Sequence, residues 1–308
     1  MKKDFGRIGV ILGGPSEERD ISIKSGRAVY DALISLGMEA VCIDPVDPAS
    51  VKDQILNSGI DIAFIALHGT FGEDGIIQSI LNEMGLPFTG SGPEASRLAM
   101  DKAASKKIFQ ASGIPVPRWR SSQSRSGAIS IARGFDLPLV VKPASQGSSI
   151  GLSIVEKKEE IESAIDMAFL HDDEVLIEEY IPGKDITVGI LGEEPLPVIQ
   201  IKPRDRFYSF KAKYTDGMSE YIIPADFKEE IKQEAQRLGK LAHRALGCQA
   251  FSRVDMLIDD RDDSIFVLEL NTIPGLTPLS LLPMAAQAVG VDFPQMCIRM
   301  VESALVRV

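Results

Sequence analysis

"FSRVDMLIDDRDDSIFVLELNTIPG", residues 251–275, carries two runs of aliphatic, aromatic and β-branched residues around an acidic stretch, Asp259 to Asp263. The runs predict two strands. The DDRDD between them lacks the glycine and the acid spacing of a calcium loop, which predicts a solvated turn. Side chains two apart in a strand share a face. Pairing through an odd-membered turn sets Asp255 opposite Glu269 and Arg253 opposite Asn271, with all four on one face. Facing carboxylates repel unless a cation lies between them. A set of Asp255, Glu269 and Asn271 oxygens suits magnesium or manganese, which keep water and phosphate as further ligands. The alternative is a wet sheet face whose acids are simply solvated.

Working outward, residues 7–12 ("RIGVIL"), 39–44 ("EAVCID") and 61–67 ("DIAFIAL") read as strands, with helices at about 20–36 and 48–57 between them. Gly37 is the expected C-cap of the first helix. The alternation βαβαβ implies a parallel sheet in an α/β domain, and a further helix follows at "IIQSILNEMG". The turn-rich "LPFTGSGPEAS" marks a boundary near residue 90. Beyond it we expect one helix from about 94 to 111, then a polar loop, "SSQSRSGA" (121–128). Strands at 137–143, 152–155 and 174–181 around a helix at 157–171 make an α+β piece. Hairpin-like strands follow, then a polar stretch (203–221), a helix at 226–246, the strand pair quoted above and a C-terminal helix. The expected division is 1–92, 93–181 and 182–308.

Several other segments carry chemistry. In "VVKPASQGSSIG" (140–151), Lys142 ends a strand and Gly147-Ser148-Ser149 supplies a turn whose amides could cover a polyphosphate; an ordinary Gly-Ser hairpin is the alternative. Lys102, in "MDKAASKK", sits on a helix where lysines are commonly solvated. "LHGTFGEDGIIQ" (67–78) follows the third strand at its C-terminal end, where α/β sheets bind ligands. There His68 could meet substrate, while Glu73 and Asp74 could cap a helix. "GGPSEERD" (13–20) occupies the matching end of the first strand and brings Glu17 or Glu18 toward the same cleft, suited to an ammonium group. There is no GxxxxGK[ST] phosphate loop. "RFYSFKAKYTDG" (206–217) is basic and aromatic within an acidic protein and reads as a lid, with Lys213 reaching phosphates and Tyr214 substrate. Its alternative is a solvated loop.

The chain of 308 residues has a formal net charge of −11, which argues against nucleic-acid or anionic-membrane surfaces. Three cysteines, far apart and without CxxC spacing, read as reduced core thiols. The N-terminal run is too short for a signal peptide and no stretch is long and apolar enough to span a bilayer. We expect a cytoplasmic protein.

Six motifs, "GGPSEERDIS", "HGTFGEDG", "KPASQGSSIG", "FKAKY", "RVD" and "LELNTIPGLTPLSLLP", stand in the order found in the D-alanine–D-alanine ligases of the ATP-grasp superfamily. The chain resembles that family over nearly its whole length. The resemblance implies a three-domain ATP-grasp architecture, of α/β and α+β type, opening on a parallel α/β domain. It implies ATP and two Mg2+ (or Mn2+), a first D-alanine activated as an acyl phosphate, and attack by the amine of a second. By motif position, Glu18 would bind the first ammonium in a set with Ser148 and Tyr214, and His68 would lie near that substrate. Lys102, Lys142 and Lys213 would hold phosphates and Ser149 would support the flap. Glu178, Glu179, Tyr180 and Ile181 match the adenine strand and hinge. Asp185 stands where the family usually has Glu at the ribose. Arg253 and the Gly275 N–H would stabilise the oxyanion, Asp255, Glu269 and Asn271 would bind the metals, and Ser280 and Leu281 would receive the second carboxylate. The family also implies a homodimer and peptidoglycan precursor synthesis. An acceptor other than D-alanine, such as D-serine, D-lactate or another amino acid, is the alternative.

Overall fold

The computed structural model describes residues 5–147, 149–204 and 217–307. The chain begins with β1 (Arg7–Ile11), α1 (Arg19–Ser35), β2 (Glu39–Ile43), α2 (Val51–Ser58), β3 (Ile62–Ile65) and α3 (Ile76–Glu83). The three strands form a parallel sheet in the order β2-β1-β3. Ile8, Val10, Ile62 and Phe64 are fully enclosed, as expected where helices cover both faces of parallel strands. Helix α1 ends as its sequence indicates. Gly37 adopts φ +67, and its N–H reaches the Ile34 carbonyl at 2.8 Å, closing the last turn.

The expected helix over 94–111 is two helices, α4 (Pro93–Met100) and α5 (Lys102–Ala111). Asp101 between them is extended and accepts from the Ala104 N–H at 2.9 Å, so one residue caps a new helix where the apolar pattern suggested continuity. Both helices pack on the last sheet of the chain through Ala95, Ala99 and Phe109. The next sheet contains β4 (Trp119–Ser122), β5 (Leu139–Pro143), β6 (Ser153–Val155) and β7 (Val175–Glu179), antiparallel in the order β4-β7-β5-β6. It is covered by α6 (Arg125–Ala132) and α7 (Ile161–Phe169). Helix α6 takes up the second half of the stretch expected as a loop, and β4 its first two residues. Ser124 supplies its cap, accepting from the Gly127 N–H at 3.2 Å, and serines read as loop polarity are here a cap and a solvent face.

The C-terminal sheet is built from β8 (Gly183–Leu191), β9 (Glu194–Pro195), β10 (Ile199–Pro203), β11 (Ser219–Ile222), β12 (Phe251–Asp259) and β13 (Ile265–Asn271). Its order is β11-β10-β8-β12-β13, with β9 on β8. Helix α8 (Glu229–Ala245) covers one face, packing Ala235, Leu238 and Ala242 against Val188, Val254 and Met256. The chain closes with α9 (Leu281–Gln287) and α10 (Phe293–Ala304), which return to the N-terminal core beside Val29 and Leu33.

The hairpin that decides the site pairs as expected at one end and not at the other. Ile258 faces Ile265 and Asp259 N–H meets the Ser264 carbonyl at 2.8 Å, so the turn closes on an even count. Continued unbroken, that register sets Asp255 against Leu268. A bulge between Asp255 and Met256 shifts it, and Asp255 faces Glu269 while Arg253 faces Asn271. The extra residue turns Leu268 and Glu269 both toward the cleft, re-aiming a side chain as bulges do near functional sites.

Candidate active site

Two clefts meet at a common wall made by Lys102 and Glu269. The first lies between the middle and C-terminal sheets. Lys142 on β5 and Glu178 on β7 occupy diagonal positions of one ladder, close enough for long side chains to meet. The Lys142 ammonium lies 2.9 Å from Glu178 Oε2. On the other side of the same carboxylate, the Lys106 ammonium lies 3.0 Å from Oε1. Burial pushes the Glu178 carboxyl up, but the two ammoniums outweigh it and hold it below the usual carboxylate range. Burial likewise lowers Lys106, to about 8, against the pull of Glu178. Thus the Glu178 side chain serves lysines, while the hinge that follows, Glu179 to Ile181, lines the cleft together with Asp185.

The segment after Lys142 lies over this cleft. Ser149 adopts φ +60, uncommon for a residue with a side chain. The Ile150 N–H donates to the Gly147 carbonyl at 3.1 Å. The strap is tied from below, since Lys102 Nζ donates to the Gln146 carbonyl at 2.6 Å and lies 3.5 Å from Glu269. Its other tie runs to the turn after α7: Gln146 Nε2 donates to the His171 carbonyl and the Ser145 N–H to Asp172. Lys102 is therefore buried and structurally committed, unlike a solvated helix lysine.

The second cleft lies between the parallel sheet's C-terminal edge and the 271–284 segment. Glu18, 7% exposed, packs against two glycines. A Cβ at Gly147 would come 2.9 Å from its Oε2, and one at Gly69 3.0 Å. His68 donates and accepts in a buried line, with Glu73 Oε1 3.1 Å from Nδ1 and Ser25 Oγ 2.9 Å from Nε2. This pattern fits an Nδ1–H tautomer oriented by the carboxylate. Burial pushes the Glu73 carboxyl up and His68 draws it down. Asp74, by contrast, is a loop and cap residue, accepting from the Phe71 and Ile76 N–H groups.

At the sheet face, the Arg253 guanidinium grips both Asp255 oxygens at 2.8 and 2.7 Å. Thr187 Oγ1 donates to Asp255 Oδ1 at 2.7 Å. Asn271 Oδ1 accepts from the Ile273 N–H. Ser280, at the start of α9, accepts from the Thr277 N–H at 3.1 Å, and a Cβ at Gly275 would meet its Oγ at 2.8 Å. Leu281 is buried beside it. Ser148, Lys213 and Tyr214, with residues 205–216 of the expected lid, lie outside the described residues. The flanks of that lid are paired, β10 running antiparallel to β11.

Among the described residues no group of three or more His, Cys, Asp and Glu side chains is arranged to hold a metal. The candidate cation donors are therefore two carboxylates and one amide. Sequence reasoning missed Lys106, Ser25 and Thr187. A signal for Lys106 existed, because it falls one turn after Lys102 on α5 and one turn before buried Phe109. A lysine on an apolar helical stripe needs a buried partner. Cys248 and Cys297 are buried free thiols and Cys42 is half-buried. Among the described residues no helix is long and apolar enough to cross a membrane.

The family descriptions that match the chain are D-ala D-ala ligase N-terminus over residues 45–91 and D-ala D-ala ligase C-terminus over 108–302. A D-alanine–D-alanine ligase of Geotalea uraniireducens is 44% identical over 302 residues, covering 98% of this chain and 96% of its own length. Among solved structures, a Bacillus anthracis D-alanine–D-alanine ligase complexed with ATP aligns with TM-score 0.83 and 33% identity over 98% of both chains. The VanG D-Ala:D-Ser ligase of Enterococcus faecalis aligns with TM-score 0.84 at 28% identity, covering 98% of this chain and all of that one. Two clefts joined at a lysine and a glutamate, on a fold shared end to end with these enzymes, make the chain a member of the D-alanine–D-alanine ligase family.

Proposed function

We propose that this protein joins two D-alanines into D-alanyl-D-alanine, converting ATP to ADP and phosphate through an acyl phosphate, as a step in peptidoglycan precursor synthesis. The observation that carries the reading is the shared wall of Lys102 and Glu269: a nucleotide in the first cleft and an amino acid in the second meet there. A carboxylate is a poor electrophile, and phosphorylation turns it into a mixed anhydride. The protein's part is positioning and charge neutralisation.

In this reading Glu18 receives the first D-alanine's ammonium, with Ser148 and Tyr214, and His68, oriented by Glu73, flanks that substrate. Lys102, Lys142 and Lys213 neutralise phosphates under the strap at Ser149. The strand and hinge from Glu178 through Glu179 and Tyr180 to Ile181 receive the adenine, and Asp185 the ribose. Arg253, held in place by Asp255, and the Gly275 N–H face the oxygen that becomes negative as the second amine attacks. Ser280 and the Leu281 N–H take the second carboxylate. The hard-oxygen set of Asp255, Glu269 and Asn271 fits two Mg2+ or Mn2+ ions, which when bound would neutralise phosphate charge. The segments 1–92, 93–181 and 182–308 act as three bodies, with 203–221 as a lid that keeps water from the anhydride. We place the enzyme in the cytoplasm as a homodimer, without nucleic-acid or membrane partners.

The test is phosphate release with ATP, magnesium and D-alanine, run beside D-serine and D-lactate as acceptors with D-alanine limiting. D-alanine alone is expected to support full turnover. Release that needs another acceptor, or none above background, refutes the reading.

A further inference from the structure

We infer that Lys106 is a positioning residue for the nucleotide cleft: held on Glu178, it balances that carboxylate so that Lys142 keeps its positive charge turned toward phosphate. This rests on the nucleotide reading of the first cleft. Lys106 is fully buried and lines neither cleft, so it acts through its neighbours. Its ammonium takes Glu178 Oε1 and Lys142 takes Oε2. One carboxylate thus serves two cations, and the trio carries a net single positive charge at the cleft floor.

Without Lys106 the remaining pair is neutral. At the short separations of a partly dry site, an adjacent unscreened carboxylate cancels most of the field Lys142 offers an anion. Relieved of the Lys106 ammonium 3.0 Å away, the Glu178 carboxylate is also drawn wholly toward Lys142. Stability alone does not account for a lysine here, because buried ion pairs are commonly matched or exceeded by apolar residues of similar volume. The charged groups facing Lys106 are Glu178 from β7, Lys142 from β5 and, at longer range, Glu269 from β13. Each of these belongs to the floor or the common wall of the clefts.

The test measures ATP binding by calorimetry with magnesium and no D-alanine, together with KM for ATP and for D-alanine. Lys106→Met is expected to weaken ATP by about tenfold or more, the scale of lost outer-shell partners at charged sites, and to leave KM for D-alanine at saturating ATP within about twofold. Lys106→Arg keeps a cation on Glu178 and is expected to recover ATP affinity. A merely structural role predicts as large a loss in Lys106→Arg as in Lys106→Met, and this outcome overturns the inference. So does wild-type ATP affinity in folded Lys106→Met. Should Lys106→Met fail to fold, Lys106→Gln keeps a donor for Glu178 without the charge, and wild-type ATP affinity there is equally fatal. Absence of ATP binding by the wild-type protein would instead remove the proposed function itself.

Discussion

Gly147→Ala isolates the geometry of Glu18. Gly147 is not among the positive-φ residues, so alanine fits the backbone without strain. The added Cβ would lie 2.9 Å from Glu18 Oε2, where ordinary contact begins at 3.4 Å, and its next neighbours are atoms of the same carboxyl at 3.7 and 3.8 Å. Glu18 must therefore retreat by about half an ångström, the difference between those two distances. Its room to move is small, because Gly69 also packs on Oε2, where an added Cβ would come within 3.0 Å. A misplacement of about 1 Å can cost about 100-fold in rate, so half of it predicts roughly a tenfold loss. The loss belongs in kcat/KM for D-alanine at saturating ATP, with KM for ATP nearly unchanged. Folding is not harmed, since replacing glycine at a compatible position removes unfolded-state entropy worth about 0.4–1 kcal/mol. Steady-state phosphate release and a thermal melt check both halves. Wild-type kcat/KM for D-alanine in a folded Gly147→Ala protein would show that Glu18 does not hold the substrate ammonium.

Three further outcomes follow from the structure. Glu269→Ala should abolish cation-dependent turnover with the fold intact by circular dichroism, and near wild-type activity defeats the cation assignment. His243 is buried against Ser252 and burial lowers it to about 4. The unfolded chain therefore takes up its proton first, and stability is lost as pH falls from about 6.5 toward 4, by roughly 3 kcal/mol in all. Denaturant melts across that range should show the loss in the wild type and not in His243→Asn; parallel curves exclude it. Burial pushes the Cys248 and Cys297 thiols up to about 12, so a thiol reagent should label half-buried Cys42 first. Labelling of Cys297 in the native state at a comparable rate contradicts the packing of α10.

Much of the site is legible in the amino-acid sequence. Period-two alternation puts Arg253, Asp255, Glu269 and Asn271 on one face, and Gly147-Ser148-Ser149 marks a turn beside Lys142. The route by which that face is reached was not readable. The expected odd turn is an even one corrected by a bulge at Leu268, and two registers one residue apart are equally compatible with the apolar pattern. Lys102 looked like a helix-surface lysine because its burial depends on a strap and a sheet far away in sequence. That the Glu178 side chain meets two lysines is equally illegible, because those partners come from β5 and α5.

Taken alone, then, the amino-acid sequence determines the local periods: a parallel βαβ start, antiparallel strands with acids on alternate positions, and glycine-rich turns at strand ends. These depend on each residue's own conformational and solvation preferences, which act over a few neighbours. Only the tertiary structure decides which charges lose their water together. Lys106 with Glu178 and Lys142, His68 with Glu73 and Ser25, and the Lys102–Glu269 wall are pairings across distant segments. Their electrostatics depends on distance and burial that no local pattern carries.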